Sequence, residues 1–236
     1  MIPIDNGMIF FSVFNILKSA SDQCKGHMQE SKATLGISAI VFDLGGVLMD
    51  WDPRHLYRKL FDGDEAAMEE FLATVCTAEW IRQQDMGLPV ANAVARLARR
   101  YPDQASLIEA YDERWEEMLA GPIEESVSVL EDLRQRDLLL YGLTNLPDEK
   151  FQSLRERLEF LDWFEAVVVS GMVGVAKPDP EIYLHLLETY HLAPERSLYI
   201  DDVLANVEGA KALGFVGLYL QSPTNLRADL VELALL

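Results

Sequence analysis

Four short segments of the chain contain polar residues that are able to do chemistry together. Asp43 directly follows the apolar run Ile40–Phe42, and after Leu44 come two glycines, Gly45 and Gly46. The other three segments are Thr144–Asn145, Lys177–Pro180 and Asp201–Asp202. Taken singly, each segment is also compatible with an ordinary turn or helix cap. Taken together, they supply a candidate nucleophile, hydrogen-bond donors for an anion, one cation and a pair of acids.

Two of the segments indicate how charge is arranged at such a site. The neighbouring carboxylates of Asp201 and Asp202 repel each other unless a cation relieves them. Mg²⁺ suits a site with few carboxylates, since water, backbone and substrate oxygens complete its coordination. Lys177 precedes a stretch in which Pro178 and Pro180 restrict the backbone, so its ammonium can supply a point charge at the same place.

The hydrophobic pattern predicts the elements that position these residues. Apolar runs at 40–44, 138–145, 166–170, 197–202 and 215–220 are typical of buried strands, and amphipathic helices separate the later ones. Strands that alternate with helices form a parallel sheet with helices on both faces, so we expect a doubly wound α/β core. Such sheets bind ligands at the carboxyl ends of their strands. The polar residues at those ends are Asp43, Thr144, Asn145, Ser170, Asp201 and Asp202.

Residues 53–120 have a different pattern and contain no strand-like run. Apolar residues recur at helical spacing there, for example at Met68, Phe71, Leu72 and Val75. We therefore expect a bundle of about four helices, inserted after the first strand. The predicted organisation is a core of residues 37–52 and 121–236, a helical cap of residues 53–120, and an N-terminal extension of residues 1–36 that is accessory, disordered or not native.

Composition and charge exclude several classes of partner. The 236 residues include 20 Lys and Arg against 39 Asp and Glu, and the net charge of −19 opposes nucleic acids and anionic membranes. The apolar run Met8–Leu17 is about half as long as a membrane span and lacks the basic region of a signal peptide. Cys24 and Cys76 form neither a disulfide framework nor a zinc motif, which favours a reducing cytoplasm. A phosphate site in so acidic a protein needs its own local positive charge.

In this order and at this spacing, the four segments resemble the motifs of the haloacid dehalogenase superfamily. The resemblance covers residues 37–236, and it is to members with a helical cap inserted between the first and second motifs, such as sugar-phosphate phosphatases. The matching stretches are Phe42–Leu48, Leu143–Asn145, Lys177–Pro180 and Tyr199–Asn206. Each stretch alone is a weak signal, but the ordered set of four is specific.

The resemblance implies a Mg²⁺-dependent phosphatase that forms an aspartyl-phosphate on Asp43 and then hydrolyses it. The implied catalytic residues are Asp43, Thr144, Asn145 and Lys177. The implied phosphoryl-binding residues are Thr144, Asn145, Lys177 and Gly46. The implied Mg²⁺ site consists of Asp43, the carbonyl of Gly45 and Asp202, with support from Asp201 and Asn206. The implied substrate is a small phosphorylated metabolite, such as a sugar phosphate or a nucleotide.

Gly45 departs from the pattern of the superfamily. Its phosphatases usually carry a second aspartate at this position as general acid and base, and glycine cannot transfer a proton. Either a cap residue such as His55 or Asp85 takes this role, or the chemistry differs. One alternative is a metal-free 2-haloacid dehalogenase that uses Asp43 as its nucleophile. The other is a non-catalytic binding protein that retains the fold.

The cap is expected to choose the substrate, and its residues leave alternatives open. Residues 78–87 either bind substrate hydroxyls or form a polar turn with Trp80 buried in the bundle. Arg54 either faces the site or caps the first cap helix. The crossings at Asp50–Pro53 and Ala120–Pro122 are predicted hinges, about which the cap opens and closes over the site.

Overall fold

The computed structural model of this protein describes residues 36–236. The predicted N-terminal extension, residues 1–36, therefore lies outside the described residues except for Gly36. Cys24 and the apolar run Met8–Leu17 lie outside them as well.

A parallel sheet forms the centre of the core. The strands of the described chain are β1 Ala39–Phe42, β2 Met49–Trp51, β3 Leu119–Pro122, β4 Leu139–Thr144, β5 Ala166–Val169, β6 Ser197–Asp201 and β7 Val216–Tyr219. Five of them pair in the order β5-β4-β1-β6-β7, all parallel. β1 can occupy the central position because all four of its residues are apolar and buried. Val41 lies opposite Tyr141 of β4 on one side and Tyr199 of β6 on the other.

Helices cover both faces of this sheet. They are α1 Arg54–Leu60, α2 Glu65–Thr74, α3 Ala78–Asp85, α4 Val90–Arg100, α5 Ala105–Glu113, α6 Glu124–Leu133, α7 Asp148–Arg155, α8 Ser170–Val173, α9 Pro180–Tyr190, α10 Leu204–Ala212 and α11 Leu226–Glu232. Ile40 and Phe42 share an apolar cluster with residues of α6 and α11, whereas Ala39 and Val41 share another with residues of α9 and α10. The predicted doubly wound α/β fold is therefore confirmed. Within residues 36–236, no helix is both long and apolar enough to cross a bilayer.

The cap helices are α1–α5, which lie in the chain between β2 and β3. Met68, Phe71 and Leu72 are the buried residues of α2, so the helical spacing predicted there is confirmed. Residues 53–120 contain five α-helices in the structure, where about four were expected. The segment is divided more finely because short turns, such as those at Gly63 and Gly87, interrupt it.

The two crossings between core and cap pair with each other as an antiparallel ribbon of β2 and β3. Met49 lies opposite Pro122, and Asp50 lies opposite Gly121. The expectation that residues 53–120 contain no strand is therefore wrong, because β3 already begins at Leu119. This ribbon depends on a partner that is distant in the chain, so a local hydrophobic pattern does not indicate it. The hinge role of the crossings stays a prediction.

Candidate active site

Asp43 lies at the carboxyl end of β1, in the middle of the sheet edge. Its backbone N–H donates to the carbonyl of Ile200 at 2.9 Å and so continues the pairing of β1 with β6. Its carboxylate oxygen Oδ1 accepts a hydrogen bond from the backbone of Leu44 at 2.6 Å and lies 2.7 Å from the Lys177 ammonium. The side chain is therefore held in one orientation by the core itself.

Lys177 is a buried cation that bridges two carboxylates. Its Nζ lies 2.7 Å from Asp43 and 2.9 Å from Asp201. Burial acts to lower the pKa of Lys177, but the two carboxylates outweigh this effect and raise the pKa. Its backbone is held by Asn145, whose Oδ1 accepts from Lys177 N at 2.8 Å and whose Nδ2 donates to Lys177 O at 3.0 Å.

This reciprocal pair gives Asn145 a role that the sequence does not indicate. Both polar atoms of its side chain are engaged by the backbone of Lys177, so the amide positions the lysine. The expected phosphoryl contact from Asn145 therefore stays a prediction for its backbone. Thr144, at the end of β4, is buried and lines the same cavity as Asp43. Ser170 does not reach this cavity, because its hydroxyl accepts a hydrogen bond from Leu146 N at 2.9 Å.

Asp201 is completely buried behind Lys177, and both of its carboxylate oxygens are engaged. Oδ1 accepts from Val203 N at 2.8 Å, Oδ2 accepts from the Tyr199 hydroxyl and the Lys177 ammonium, and Asn206 Nδ2 lies 3.1 Å from each oxygen. Burial alone would raise the pKa of Asp201, but Lys177 and these hydrogen bonds lower it. The sequence reasoning missed Tyr199. Its signal was present, since residues two apart on a strand face the same side.

Asp43, Asp201 and Asp202 form the acidic cluster that the sequence predicts. Each offers a carboxylate oxygen, and these oxygens lie within 4.8 Å of one another. Burial and repulsion from Asp201 raise the pKa of Asp43 well above its usual range, although Lys177 opposes the shift. Burial and Asp201 likewise raise the pKa of Asp202. Three carboxyl groups thus cluster beside one ammonium, which pairs with two of them, and such an oxygen-only set fits a hard divalent cation.

Of the two glycines that follow Asp43 and Leu44, Gly46 leaves necessary space for this cluster and Gly45 does not. Gly46 has a φ of +73°, and a Cβ there would overlap the carboxylate of Asp202. A Cβ at Gly45 would meet no atom within 4 Å. Glycine is therefore required at position 46 by its backbone and its neighbour, whereas the fold leaves space for a side chain at position 45.

These groups open into a cavity of about 330 Å³ between the sheet edge and the cap. Eight of the predicted site residues line it, and Asp201 lies buried behind them. The eight are Asp43, Gly45, Gly46, Thr144, Asn145, Lys177, Asp202 and Asn206. We call this side the floor. The opposite side, which we call the roof, consists of Met49, Trp51, Ile81, Asp85, Tyr111 and Trp115.

Of the segment 78–87 singled out from the sequence, Ile81 and Asp85 lie at the cavity. His55 lies outside it, with its Nε2 2.9 Å from Asp50, so it is not placed to transfer a proton there. Arg54 is paired with Glu69 on the surface and does not face the site. Trp80 is buried in the cap, where its ring packs edge-on against Tyr111, so its predicted burial is confirmed. The polar turn expected around it is wrong, because Ala78–Asp85 forms the helix α3.

α3 also joins the cap to the core. Arg82 donates to the carbonyl of Lys177 at 2.6 Å and to the carboxylate of Asp179 at 2.7 Å. A second link joins Lys150 of α7 to Asp112 of α5 at 2.5 Å. The backbone that carries Lys177 is therefore held from the core side by Asn145 and from the cap side by Arg82.

A buried lysine paired with an aspartate at the carboxyl edge of a parallel sheet, beside two further acids, defines the class as an α/β enzyme with its site at the strand ends. The family model of haloacid dehalogenase-like hydrolases matches residues 37–214, so the chain belongs to this family.

Similar proteins agree with this assignment. The chain is 30% identical over 183 residues to a sesquiterpene phosphatase of Aspergillus oryzae, covering 77% of this chain and 89% of that one. It is 28% identical over 192 residues to a phosphorylated carbohydrates phosphatase of Thermotoga maritima, covering 78% and 84%. A family enzyme of Bacteroides thetaiotaomicron, solved with magnesium and inorganic phosphate, shares the fold with a TM-score of 0.60 at 24% identity, covering 78% and 93%.

Proposed function

We propose that the protein is a Mg²⁺-dependent phosphatase that acts on phosphate monoesters through an aspartyl-phosphate on Asp43. The observation that carries this proposal is the Asp43 carboxylate, held 2.7 Å from a buried ammonium and within 4.8 Å of two more carboxylates. Two named phosphatases that align with more than three quarters of the chain support it.

In the first step, Asp43 attacks phosphorus as the bond from phosphorus to the ester oxygen breaks, and that oxygen leaves with the bonding electron pair. In the second step, water attacks the aspartyl-phosphate, its bond to Asp43 breaks, and inorganic phosphate leaves. Lys177 stabilises the ionised Asp43 before attack and the phosphoryl oxygens during it. Asp201 holds Lys177 in place from behind.

Mg²⁺ would be held by Asp43, Asp202 and the Gly45 carbonyl, with Asp201 and Asn206 as support. When bound, the ion supplies positive charge that favours ionised Asp43 and offsets the charge of the phosphoryl group. Because burial raises the pKa of Asp43, the site as described lacks enough positive charge to keep its three carboxylates ionised. A divalent cation held there would supply the missing positive charge locally, in a protein whose net charge is −19.

The roof favours an apolar organic group on the phosphate, in contrast to the sugar phosphate or nucleotide expected from the sequence. Ile81, Trp115 and Met49 offer hydrocarbon and aromatic surface, which suits an apolar group better than several sugar hydroxyls. The roof supplies few polar groups, namely the Asp85 carboxyl, the Tyr111 hydroxyl and Trp51 Nε1. The similarity to a sesquiterpene phosphatase supports the same choice. We therefore propose phosphate monoesters of apolar alcohols as the substrate class.

Hydrolysis of 4-nitrophenyl phosphate by the purified protein tests the activity, with Mg²⁺ or a chelator, and with Asp43→Asn as the inactive control. We expect phosphate release that needs Mg²⁺ and that the substitution reduces to background. Release of chloride from 2-chloropropionate without metal, in the absence of phosphatase activity, would support the dehalogenase alternative. Inactivity in both assays would support the non-catalytic alternative.

The substrate class is tested by comparing kcat/KM for farnesyl monophosphate and for glucose 6-phosphate. We expect the isoprenoid ester to be preferred, and Ile81→Asn to lower its kcat/KM by roughly tenfold, because an apolar contact is replaced by an amide. Leu184→Asn is the matched control, since Leu184 is 40% exposed on α9 and does not line the cavity. Equal use of the two esters by the unmodified protein would contradict this substrate class.

A further inference from the structure

The chemistry proposed above leaves one proton without a donor. An alkyl phosphate has a strongly basic leaving oxygen, which needs a proton as its bond to phosphorus breaks. Glycine at position 45 cannot give one. Among the described residues that line the cavity, the groups able to exchange a proton are Asp43, Asp85, Tyr111, Lys177 and Asp202.

Most of these groups are already committed. Asp43 and Lys177 form an ion pair on the floor, and Asp202 belongs to the acidic cluster. Burial raises the pKa of the Tyr111 hydroxyl well above its usual range, so this group is a poor acid. Asp85 remains, and it is the carboxyl group of the roof.

The fold positions Asp85 with respect to the floor. It is the last residue of α3, one turn after Ile81, and both residues line the cavity. Arg82 of the same helix donates to the carbonyl of Lys177 at 2.6 Å, so α3 is fastened to the backbone that carries the active-site ammonium. After α3, Gly87 has a φ of +94°, and a Cβ there would lie 3.2 Å from the carbonyl of Gly171 in the core.

The surroundings of Asp85 keep its carboxyl group uncommitted. Among residues 36–236, no ion pair or side-chain hydrogen bond engages it, and the charged groups near enough to act on its pKa are Lys177 of the core and Arg82 of α3. Burial raises its pKa to about 7, although Lys177 and Arg82 oppose the shift. The carbonyl end of α3 also disfavours a negative charge at this position. Tyr111, on the facing helix α5, remains neutral in this range.

We propose that Asp85 is the general acid and base of this phosphatase, supplied by the cap in place of the group that is missing at position 45. The proposal rests on the phosphatase function proposed above. As the bond to the ester oxygen breaks, protonated Asp85 donates its proton to that oxygen, and the neutral alcohol leaves. The Asp85 carboxylate then accepts a proton from the water that attacks the aspartyl-phosphate. Release of phosphate leaves Asp85 protonated and Asp43 free.

The test compares kcat/KM for phosphate esters with different leaving groups, using the 236-residue protein with Mg²⁺. For Asp85→Asn, we expect kcat/KM to fall by roughly 10² to 10⁴ for an alkyl phosphate, but by less than about tenfold for 4-nitrophenyl phosphate, whose leaving oxygen needs little protonation. With the alkyl ester, the activity of the unmodified protein should fall as the pH rises through about 7. The pH profile of Asp85→Asn should not show this fall. Glu79→Gln is the matched control, because Glu79 is exposed on the same helix and does not line the cavity.

A second variant keeps the test informative if the first is impaired generally. Position 45 has space for a side chain, so Gly45→Asp in the Asp85→Asn background should restore part of the alkyl phosphatase activity. Equal losses on the alkyl and aryl esters, or no loss on either, would overturn the role of Asp85. Absence of aryl phosphatase activity in the unmodified protein would instead overturn the phosphatase function itself.

Discussion

The floor and the roof of the cavity are built on different principles. On the floor and directly behind it, Lys177 is held by Asp43 and Asp201, and Asp201 is held by Tyr199 and Asn206 as well. On the roof, aromatic and aliphatic side chains surround Asp85, an acid without a partner among the described residues. We infer that the network fixes the charges needed for phosphoryl transfer. We infer that the roof contacts the organic group and, through Asp85, supplies the proton that the floor lacks.

The largest effect should come from removing the central cation of the floor. Lys177→Met leaves two buried carboxylates without their countercharge, so we expect activity at background and a loss of about 3–5 kcal/mol in the free energy of unfolding. Added MgCl₂ should recover part of this stability, because a bound cation replaces the countercharge. Urea unfolding measures both effects.

Lys59→Met is the comparison for this variant on the cap surface. Lys59 lies 3.0 Å from Glu117 in an exposed pair, so its loss should cost less than about 1 kcal/mol. Similar losses in the free energy of unfolding for the two lysine variants would contradict the difference expected between the floor and the surface.

The pH dependence of stability should have opposite signs for Asp201, the acid buried behind the floor, and for Asp85, the acid of the roof. The folded-state pKa of Asp85 is raised from 3.8 to about 7, so the stability it contributes is present below pH 3.8 and is lost as the pH rises through 7. Asp85→Asn should therefore stabilise the fold by up to about 4 kcal/mol at pH 8 and hardly at pH 4.

Asp201 should behave in the other direction. Its pKa is lowered in the folded state, so its contribution is present above the unfolded-state pKa and is lost as the pH falls. Asp201→Asn should destabilise the protein at neutral pH, and its effect should shrink in acid. Unfolding curves across this range measure both variants, and the same sign for the two would show that the floor and the roof do not differ in this way.

A smaller effect is expected from the turn between the nucleophile and the metal site. Gly46→Ala places a methyl group against the carboxylate of Asp202, so we expect Mg²⁺ affinity to fall by roughly tenfold or more. Gly63→Ala is its matched control, since Gly63 has a similar φ of +83° but no atom near its would-be Cβ. Titration calorimetry with MgCl₂ compares them, and an unchanged affinity in Gly46→Ala would contradict the assignment of Asp202.

The smallest effect is expected at the contact that joins roof to floor. Arg82→Gln removes the ion pair with Asp179 and weakens the hold of α3 on the core, so KM should rise a few-fold while kcat for an aryl phosphate changes little. Arg58→Gln, whose partner Glu65 is an exposed cap residue, should leave KM unchanged. If both variants had the same KM, the link through Arg82 would have no part in substrate binding.

The same contrast explains what the sequence predicts and what it does not. The floor residues lie in short contiguous motifs at strand ends, and strand ends of a parallel sheet meet at one edge, so Asp43, Thr144, Lys177 and Asp202 are predicted together. The roof residues come from β2, α3, α5 and the turn at Trp115, and only the tertiary packing of the cap brings them together. For the same reason, the pairing of β2 with β3 was not predicted.

The central claim is that Asp43 carries the phosphoryl group during turnover. It is tested most directly by acid quenching of the protein during hydrolysis of 4-nitrophenyl phosphate with Mg²⁺, followed by peptide mass spectrometry. We predict a phosphoryl group on the peptide that contains Asp43, removable by hydroxylamine and absent from Asp43→Asn. Steady turnover without this adduct, or with the phosphoryl group on another residue, would contradict the claim.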